Sequence, residues 1–441
     1  MSEQRFEPLR APQSFEATLE NGLRVVVVPL GHLQGASLSV FVKVGPRYER
    51  AETNGISHFL EHMLFRGTPS YPTAYDLSFA AEQLGGAIDA ATYADFTHYQ
   101  LGVPREHAGK ALELLAELLR APRFGELALE KKIVREEILA DRDADGREVD
   151  AENLSRLLVY GDHALGFKIT GEADNVEGFG PAELHAHLSN HYGAANMAVV
   201  ATGAVEPEAI VEHARRLFGD FPRGRLTLVE EPPPARHDER LRFVNHDASQ
   251  SDVRVCLRAF GPDDPHYTAL KLMVRILDDG MSTRLHRRLT DESGLAYEAF
   301  AALDPYEETG LLEVGASVEH EKVPEVLSAI LGMLHELTER DVEPRELEKA
   351  RTRYAWTLRR LVDSPEDMAL YAGTQAVFGR AIDLSGLWSD VAHVTAADIR
   401  AAAQRIVRAS GLHIVSVGRA KKPVQKQAER VVAGFVAQHA R

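Results

Sequence analysis

The sequence predicts an α+β fold built twice: two homologous domains, each a mostly antiparallel sheet flanked by helices. Three observations lead there. The chain has 441 residues, 44% of them hydrophobic, which is ample for a large core and for more than one domain of ordinary size. Segment 179–203 (FGPAELHAHLSNHYGAANMAVVATG) lies without gaps on 394–418 (VTAADIRAAAQRIVRASGLHIVSVG), at a constant offset of 215 residues. Each copy runs from a polar start through an alanine-rich helical pattern into an apolar strand that ends in Gly203 or Gly418. Between the copies, Glu230 to Asp238 (EEPPPARHD) holds three consecutive prolines, which cannot continue a helix or a central strand. The expected domains are therefore 14–222 and 240–441, joined by a Pro-rich linker over 223–239.

The first copy reads element by element. Residues 15–30 predict a hairpin, because Glu20-Asn21-Gly22 is a turn between two extended runs. A strand follows from Ala36 to Val44, then a helix from Gly55 to Phe65. Residues 85–103 read as two short strands around a turn, followed by helices near 105–120 and 126–143.

Charge and composition narrow the function. Fifty lysines and arginines against 66 acids leave a net charge of −16, which repels nucleic-acid phosphates and anionic lipid. The N-terminus has no apolar stretch of signal type, and the apolar run Leu23 to Leu30 is far short of the ~18 residues of a membrane span. The expectation is a soluble, cytoplasmic chain without nucleic-acid or membrane partners. A single cysteine, Cys256, excludes an internal disulfide framework and a cysteine-only zinc cluster. It lies in an apolar run and reads as a small buried residue. A metal would have to sit on histidines and carboxylates.

The run His58-Phe59-Leu60-Glu61-His62 supplies such a set. At about 100° per residue, His58 and His62 fall about 40° apart on a helix and Glu61 about 60° to the other side of His58. Two imidazoles can then meet one tetrahedral Zn²⁺ while the glutamate approaches its open position, where a water would sit. This is the H-x-x-E-H order. A catalytic zinc takes three protein ligands as a rule, so a third is expected from elsewhere.

The helix containing Glu130-Lys-Lys-Ile-Val-Arg-Glu136-Glu137 offers candidates. Winding it puts Glu130 and Glu137 about 20° apart, between apolar Ile133 and Val134, and turns Glu136 about 100° away. A carboxylate with apolar neighbours needs a partner, whereas Glu136 can be hydrated. Glu137 is the expected ligand and Glu130 the acceptor that orients a ligand histidine.

These residues resemble a family. HFLEHMLFRGT, followed 75 residues after His62 by the glutamate of IVREEI, is similar to the M16 metallopeptidases. GGAIDAATYADFTHY, HYGAANMAVVATG and DDGMSTRLHRRLTDESGLAYEAF extend the likeness over nearly the whole chain, which resembles the short two-domain bacterial subgroup that assembles from two subunits. The resemblance implies zinc on His58, His62 and Glu137, with Glu61 as the base and Glu130 behind the ligands. It also implies a peptide substrate laid along a sheet edge near 87–92, at Asp89 and Ala90, inside a chamber closed by two subunits.

Two positions depart from the family pattern. Asp89 stands for the usual asparagine. The family's Arg and Tyr, seven residues apart in the second domain, bind substrate and steady the tetrahedral intermediate. Tyr297 matches, but Thr290 holds the arginine position, and a threonine cannot act as a charged fork. The expected assembly is a heterodimer whose homologous partner brings the Arg/Tyr pair. The alternative is a homodimer that uses Tyr297 alone or with a shifted Arg288. A non-catalytic peptide-binding or scaffold subunit is the competing function, and the His/His/Glu set also accepts divalent ions other than zinc. His98 reads as packed or solvated, and Ser57 beside His58 does not make a serine triad.

Overall fold

The computed structural model describes residues 10–234 and 239–439. Of the expected linker, 235–238 lie outside the described residues, and 223–234 form neither helix nor strand. The first half runs β1 (Phe15–Thr18), β2 (Arg24–Pro29), β3 (Gly35–Val42), α1 (Ile56–Leu64), α2 (Ala74–Gln83), β4 (Ile88–Thr92) and β5 (Thr97–Pro104). It continues through α3 (Ala108–Arg120), α4 (Leu127–Ala140), α5 (Ala151–Tyr160), α6 (Ala173–Gly178), α7 (Pro181–His191), β6 (Met197–Gly203) and α8 (Pro207–Phe218). The second half runs β7 (Leu241–Val244), β8 (Ser251–Phe260), α9 (Tyr267–Leu277), β9 (Ala296–Pro305), β10 (Thr309–Val318), α10 (Val323–Glu339) and α11 (Pro344–Arg360). It ends with α12 (Pro365–Val377), α13 (Leu384–His393), α14 (Ala396–Ile406), β11 (Leu412–Val417) and α15 (Lys422–Gln438). None of the described helices is long and apolar enough to cross a membrane.

The strands form two sheets, ordered β1-β2-β6-β3-β5-β4 and β7-β11-β8-β10-β9. In each, a single parallel pair, β2 with β6 or β7 with β11, sits among antiparallel neighbours. The offset of 215 residues that relates the two sequence copies also carries α7 onto α14 and the start of β6 onto the start of β11. The duplication therefore extends from sequence to strand order.

The first sheet is apolar on both faces. Val25, Val27, Leu38, Val40 and Val199 pack into one cluster with the helices of their own half. Val26, Val28, Phe41, Ala198 and Val200 join a second cluster made mainly of second-half residues, including Met368, Ala369, Ala372 and Ala376 of α12. The unbroken run Val25–Val28 is thus a strand buried on both sides, which is why it does not alternate. Helices are exchanged between the halves: α12 covers the first sheet, while Ala151, Leu154 and Leu158 of α5 pack on Val415 and Val417 of the second. Backbone carbonyls tie the exchange down, with Thr202 Oγ1 donating to Pro365 O at 2.6 Å and Tyr160 OH to Gly310 O at 3.0 Å.

Where α12 crosses β3, the helix has no side chain. A Cβ on Gly373 would lie 2.0 Å from the ring of fully buried Phe41. Gly373→Val is expected to lower unfolding stability by about 1–3 kcal/mol through overpacking, read as a reduced urea midpoint at constant slope.

A second contact between the halves is ionic. Buried Asp95 accepts the Glu307 backbone N–H at 2.9 Å and lies 4.0 Å from Arg47, while Lys43 pairs with Glu307 at 2.7 Å and Arg47 with Glu308. Burial lifts the Asp95 carboxyl to about 7 despite Arg47, helped by the charges of Glu307 and Glu308. With a folded-state value of about 7 against ~3.9 for an unfolded aspartate, this group's contribution is full below ~3.9 and is lost as pH rises from there through about 7. Asp95→Asn is therefore expected to flatten the fall in melting temperature between about pH 4 and about pH 7. An unchanged slope in calorimetry would contradict this.

Candidate metal centre

The metal-site helix α1 begins without a cap of its own. Its first residue is preceded by Gly55 at φ +101°, and no side chain there accepts a hydrogen bond. The orphan N–H groups are satisfied from outside by Glu49, whose Oε1 accepts Ser57 N at 2.8 Å and whose Oε2 accepts Gly55 N at 2.7 Å and Asn54 Nδ2 at 3.0 Å. A carboxylate at a helix N-terminus is favoured by the macrodipole, although burial still raises the Glu49 carboxyl above its ordinary value. Gly55 also meets Gly171 backbone to backbone, so that a Cβ on it would lie 2.8 Å from Gly171 Cα. No sequence motif marks Glu49 for this role. Its one signal was a helix start lacking Ser, Thr, Asp or Asn.

Phe59, Leu60, Met63 and Leu64 anchor α1 in the core, leaving His58, Glu61 and His62 along the side turned to α4. That helix buries Glu130, Val134 and Ile138 at one-turn intervals, which brings Glu130 under His62 and Glu137 across from both histidines. Ile133, expected to flank Glu137 in an apolar groove, is instead 42% exposed. The helical wheel found the right face with one wrong neighbour. Glu137 is kept at the site by the imidazoles and not by apolar burial.

The distances are those of donors around a shared ion. Glu137 Oε1 lies 3.5 Å from His58 Nε2 and Oε2 lies 3.7 Å from His62 Nε2, beyond ordinary hydrogen-bond length. Two donors each about 2.05 Å from a tetrahedral zinc would be about 3.3 Å apart. Among the described residues, His58, His62 and Glu137 are the one group of three or more such side chains with ligand atoms all within 4.8 Å of one another. His62 Nδ1 is 2.8 Å from Glu130 Oε1. Donation to that carboxylate keeps a proton on Nδ1, so Nε2, toward Glu137, is the nitrogen that can offer a lone pair to an ion. Arg66 pairs with the other Glu130 oxygen. His58 has no such support, since its Nδ1 is buried without a hydrogen-bond partner. The residues present fit a divalent cation: a neutral imidazole at His58, an imidazole at His62 that would give up its Nε2 proton to an ion, and one carboxylate.

The electrostatics agree with an anionic pocket. Burial, and then the neighbouring His62, push the His58 imidazole down to about 3. Burial works the same way on His62 but is outweighed by the Glu130 hydrogen bond and the charges of Glu130, Glu137 and Glu61. Burial raises both the Glu61 and Glu137 carboxyls, and for Glu61 a hydrogen bond from Thr92 opposes the rise. Glu130 falls despite burial because His62 and Arg66 both donate to it.

The remaining predicted residues separate from this group. Asp89, exposed, and Ala90, half-buried, lie on β4, which among the described residues pairs only with β5 and so presents an open edge. Tyr297, on β9, is 86% exposed, and the described pairings of the three donors are with one another and with Glu130. Thr290 sits in a π-helical turn over His286–Asp291, its hydroxyl donating to Ala296 O at 2.9 Å. His98 is stacked on Phe41 with ring centroids 5.3 Å apart, and Ser57 is fully buried with its hydroxyl 3.1 Å from His187 Nε2. Cys256 is buried.

The second half lacks the pocket for a physical reason. Matching the buried pairs Phe59-Leu60 and Met63-Leu64 of α1 to Leu272-Met273 and Ile276-Leu277 of α9 sets Lys271 at the His58 position and Arg275 at the His62 position. Lys271 lies over the rings of Tyr267 and Tyr354 at 4.8 Å from each, and Arg275 pairs with Asp279 at 2.6 Å. Tethered cations occupy what would be metal positions.

Two family models match the chain, and the boundary between them falls inside the first half, before α7. Residues 25–165, which contain all three donors and Glu61, match the family model described as insulinase, peptidase family M16. Residues 179–354 match the peptidase M16 inactive domain. A Mycobacterium tuberculosis protein, named only as an uncharacterized zinc protease, is 29% identical over 97% of this chain and 98% of its own length. An Arabidopsis thaliana protein, named "probable mitochondrial-processing peptidase subunit beta", is 28% identical over 93% of this chain and 79% of its own. Among solved structures, a protease from Helicobacter pylori shares the fold with a TM-score of 0.84 at 21% identity, covering 92% of this chain and all of that one. A peptidase M16 inactive domain from Pseudomonas fluorescens matches with a TM-score of 0.84 at 19% identity over 92% and 98%.

Removing Glu130 frees the His62 ring to turn. Glu130→Ala is expected to weaken zinc binding about 10- to 100-fold with an unchanged far-UV circular dichroism spectrum. Competition against a chromophoric chelator measures it, and equal affinities would refute the orienting role.

Proposed function

The chain belongs to the M16 family of peptidases, and from that premise we propose that it is a zinc-dependent endopeptidase acting on extended oligopeptides or unfolded segments. The observation that carries the proposal is the convergence of His58, His62 and Glu137 within 4.8 Å, with Glu61 on the same turn of α1. His58 and His62 would hold the ion through Nε2 and Glu137 through its carboxylate. When bound, zinc supplies Lewis acidity, which polarises a peptide carbonyl and acidifies water.

The chain's own side chains and backbone do the rest. Glu61, half-buried and with a raised carboxyl, accepts the proton of the attacking water and returns it to the leaving amine. Glu130 keeps the His62 proton on Nδ1. The open edge of β4, at Asp89 and Ala90, offers main-chain N–H and C=O groups to an extended peptide, which gives affinity with little demand on sequence. The hydrogen bond from Thr92, at the end of β4, to Glu61 supports this reading.

The arginine function is assigned to a partner. Arg287 pairs with Glu292 at 3.0 Å and Arg288 with Glu336 at 2.6 Å, so both guanidiniums near Tyr297 are already engaged. This weighs against a shifted Arg288 and supports a heterodimer in which a homologous chain brings an Arg/Tyr pair and closes a peptide-sized chamber. A homodimer using Tyr297 is the alternative assembly. The second functional reading, a non-catalytic peptide-binding subunit, is favoured by Thr290 alone.

Glu61→Gln is expected to retain one zinc per chain and to lose cleavage of a quenched fluorescent peptide by about 100-fold or more, as chelation should in the parent chain. Zinc-loaded protein that hydrolyses no peptide, alone or co-expressed with a homologous subunit, would instead establish the binding-subunit reading. Full activity of the purified chain alone would remove the need for a partner.

A further inference from the structure

We propose that Thr92 is the positioning residue for Glu61, and that through it the substrate-binding edge and the proton-transferring group are held as one unit. The inference rests on the peptidase reading in taking Glu61 as the base. Thr92 is the last residue of β4 and is 8% exposed. Its hydroxyl donates to Glu61 Oε2 at 2.5 Å, and among the described residues this is the one side-chain hydrogen bond that Glu61 accepts. Behind it, the hydroxyl of fully buried Thr97, on β5, lies 3.4 Å from Thr92 Oγ1 and 3.1 Å from the Val44 carbonyl that it also meets.

Two consequences follow from the chemistry. A threonine hydroxyl has one proton. Spent on Oε2, it leaves Oε1 as the basic oxygen and removes the freedom of a side chain with three rotatable bonds. Thr92 is also fixed by the β4–β5 ladder, where it lies opposite Thr97. A peptide added to β4 is therefore set in register by the same five residues that aim the base. Water attack depends on that aim, and misplacement by about 1 Å can cost about 100-fold in rate.

The test uses Thr92→Val, which keeps the shape and deletes the hydroxyl, and Thr92→Ser, which keeps the hydroxyl. Both are made in the full chain, with its partner if activity requires one. The valine variant is expected to lose about 10- to 100-fold in kcat with KM within about twofold, and with zinc content and melting temperature unchanged. The serine variant is expected to recover most of that loss. A crystal structure of metal-free Thr92→Val should show the Glu61 carboxylate turned away from β4. Unchanged kcat in the valine variant overturns the proposal, as does a serine variant no better than valine. So does a loss that tracks reduced zinc content or melting temperature. If the parent chain cleaves no peptide at all, the peptidase reading fails separately. The crystallographic arm then decides, and an unmoved Glu61 carboxylate overturns the positioning role.

Discussion

A sheet that is apolar on both faces has to be covered twice, and the arrangement of this molecule follows from that constraint. Val25, Val27 and Val40 turn to the helices of their own half, whereas Val26, Val28 and Phe41 turn to α12 from the other half. The second sheet is covered in return by α5. Neither half could bury its strands alone without exposing a large apolar surface. The linker therefore joins two parts of one body, and α5, which leaves the site region directly after α4, is pinned to the opposite sheet.

That exchange leaves α1 and α4 to build the site. The chemistry there is a division of labour among carboxylates that differ mainly in surroundings. Glu49 caps the helix, Glu130 is held low by His62 and Arg66, and Glu137 stays partly exposed between two imidazoles. Glu61 is raised by burial. Four glutamates of identical intrinsic acidity are distinguished by hydrogen bonds and desolvation. The second half shows the converse, with Lys271 and Arg275 at the equivalent positions stabilised by aromatic faces and Asp279. One scaffold carries a His/His/Glu group of metal-ligand type in one copy and a self-neutralised cluster in the other.

Much of the architecture was legible in the chain because it depends on local patterns. The repeat offset, the Asn21-Gly22 turn, the helix over 56–64 and the paired strands around 93–96 are encoded within a few residues of themselves. Glu137 was also legible, since the spacing of seven between it and Glu130 is nearly two turns of helix. Ile133 was misplaced because a helical wheel gives direction but not what lies in that direction. The solvent beside Ile133 is set by the packing of α4 on its neighbours.

By itself the sequence determined the kinds of donor and their spacing along each helix: two imidazoles and a glutamate on one turn, and a pair of glutamates on another. It also determined the duplication that carries them. Only the tertiary structure decided which nitrogen of His62 is available, that Glu49 completes the helix start, that Thr92 meets Glu61, and that Arg287 and Arg288 are already paired. Periodicity fixes directions within one element. Hydrogen bonds and ion pairs between residues tens of positions apart depend on distances between elements, which no local pattern contains.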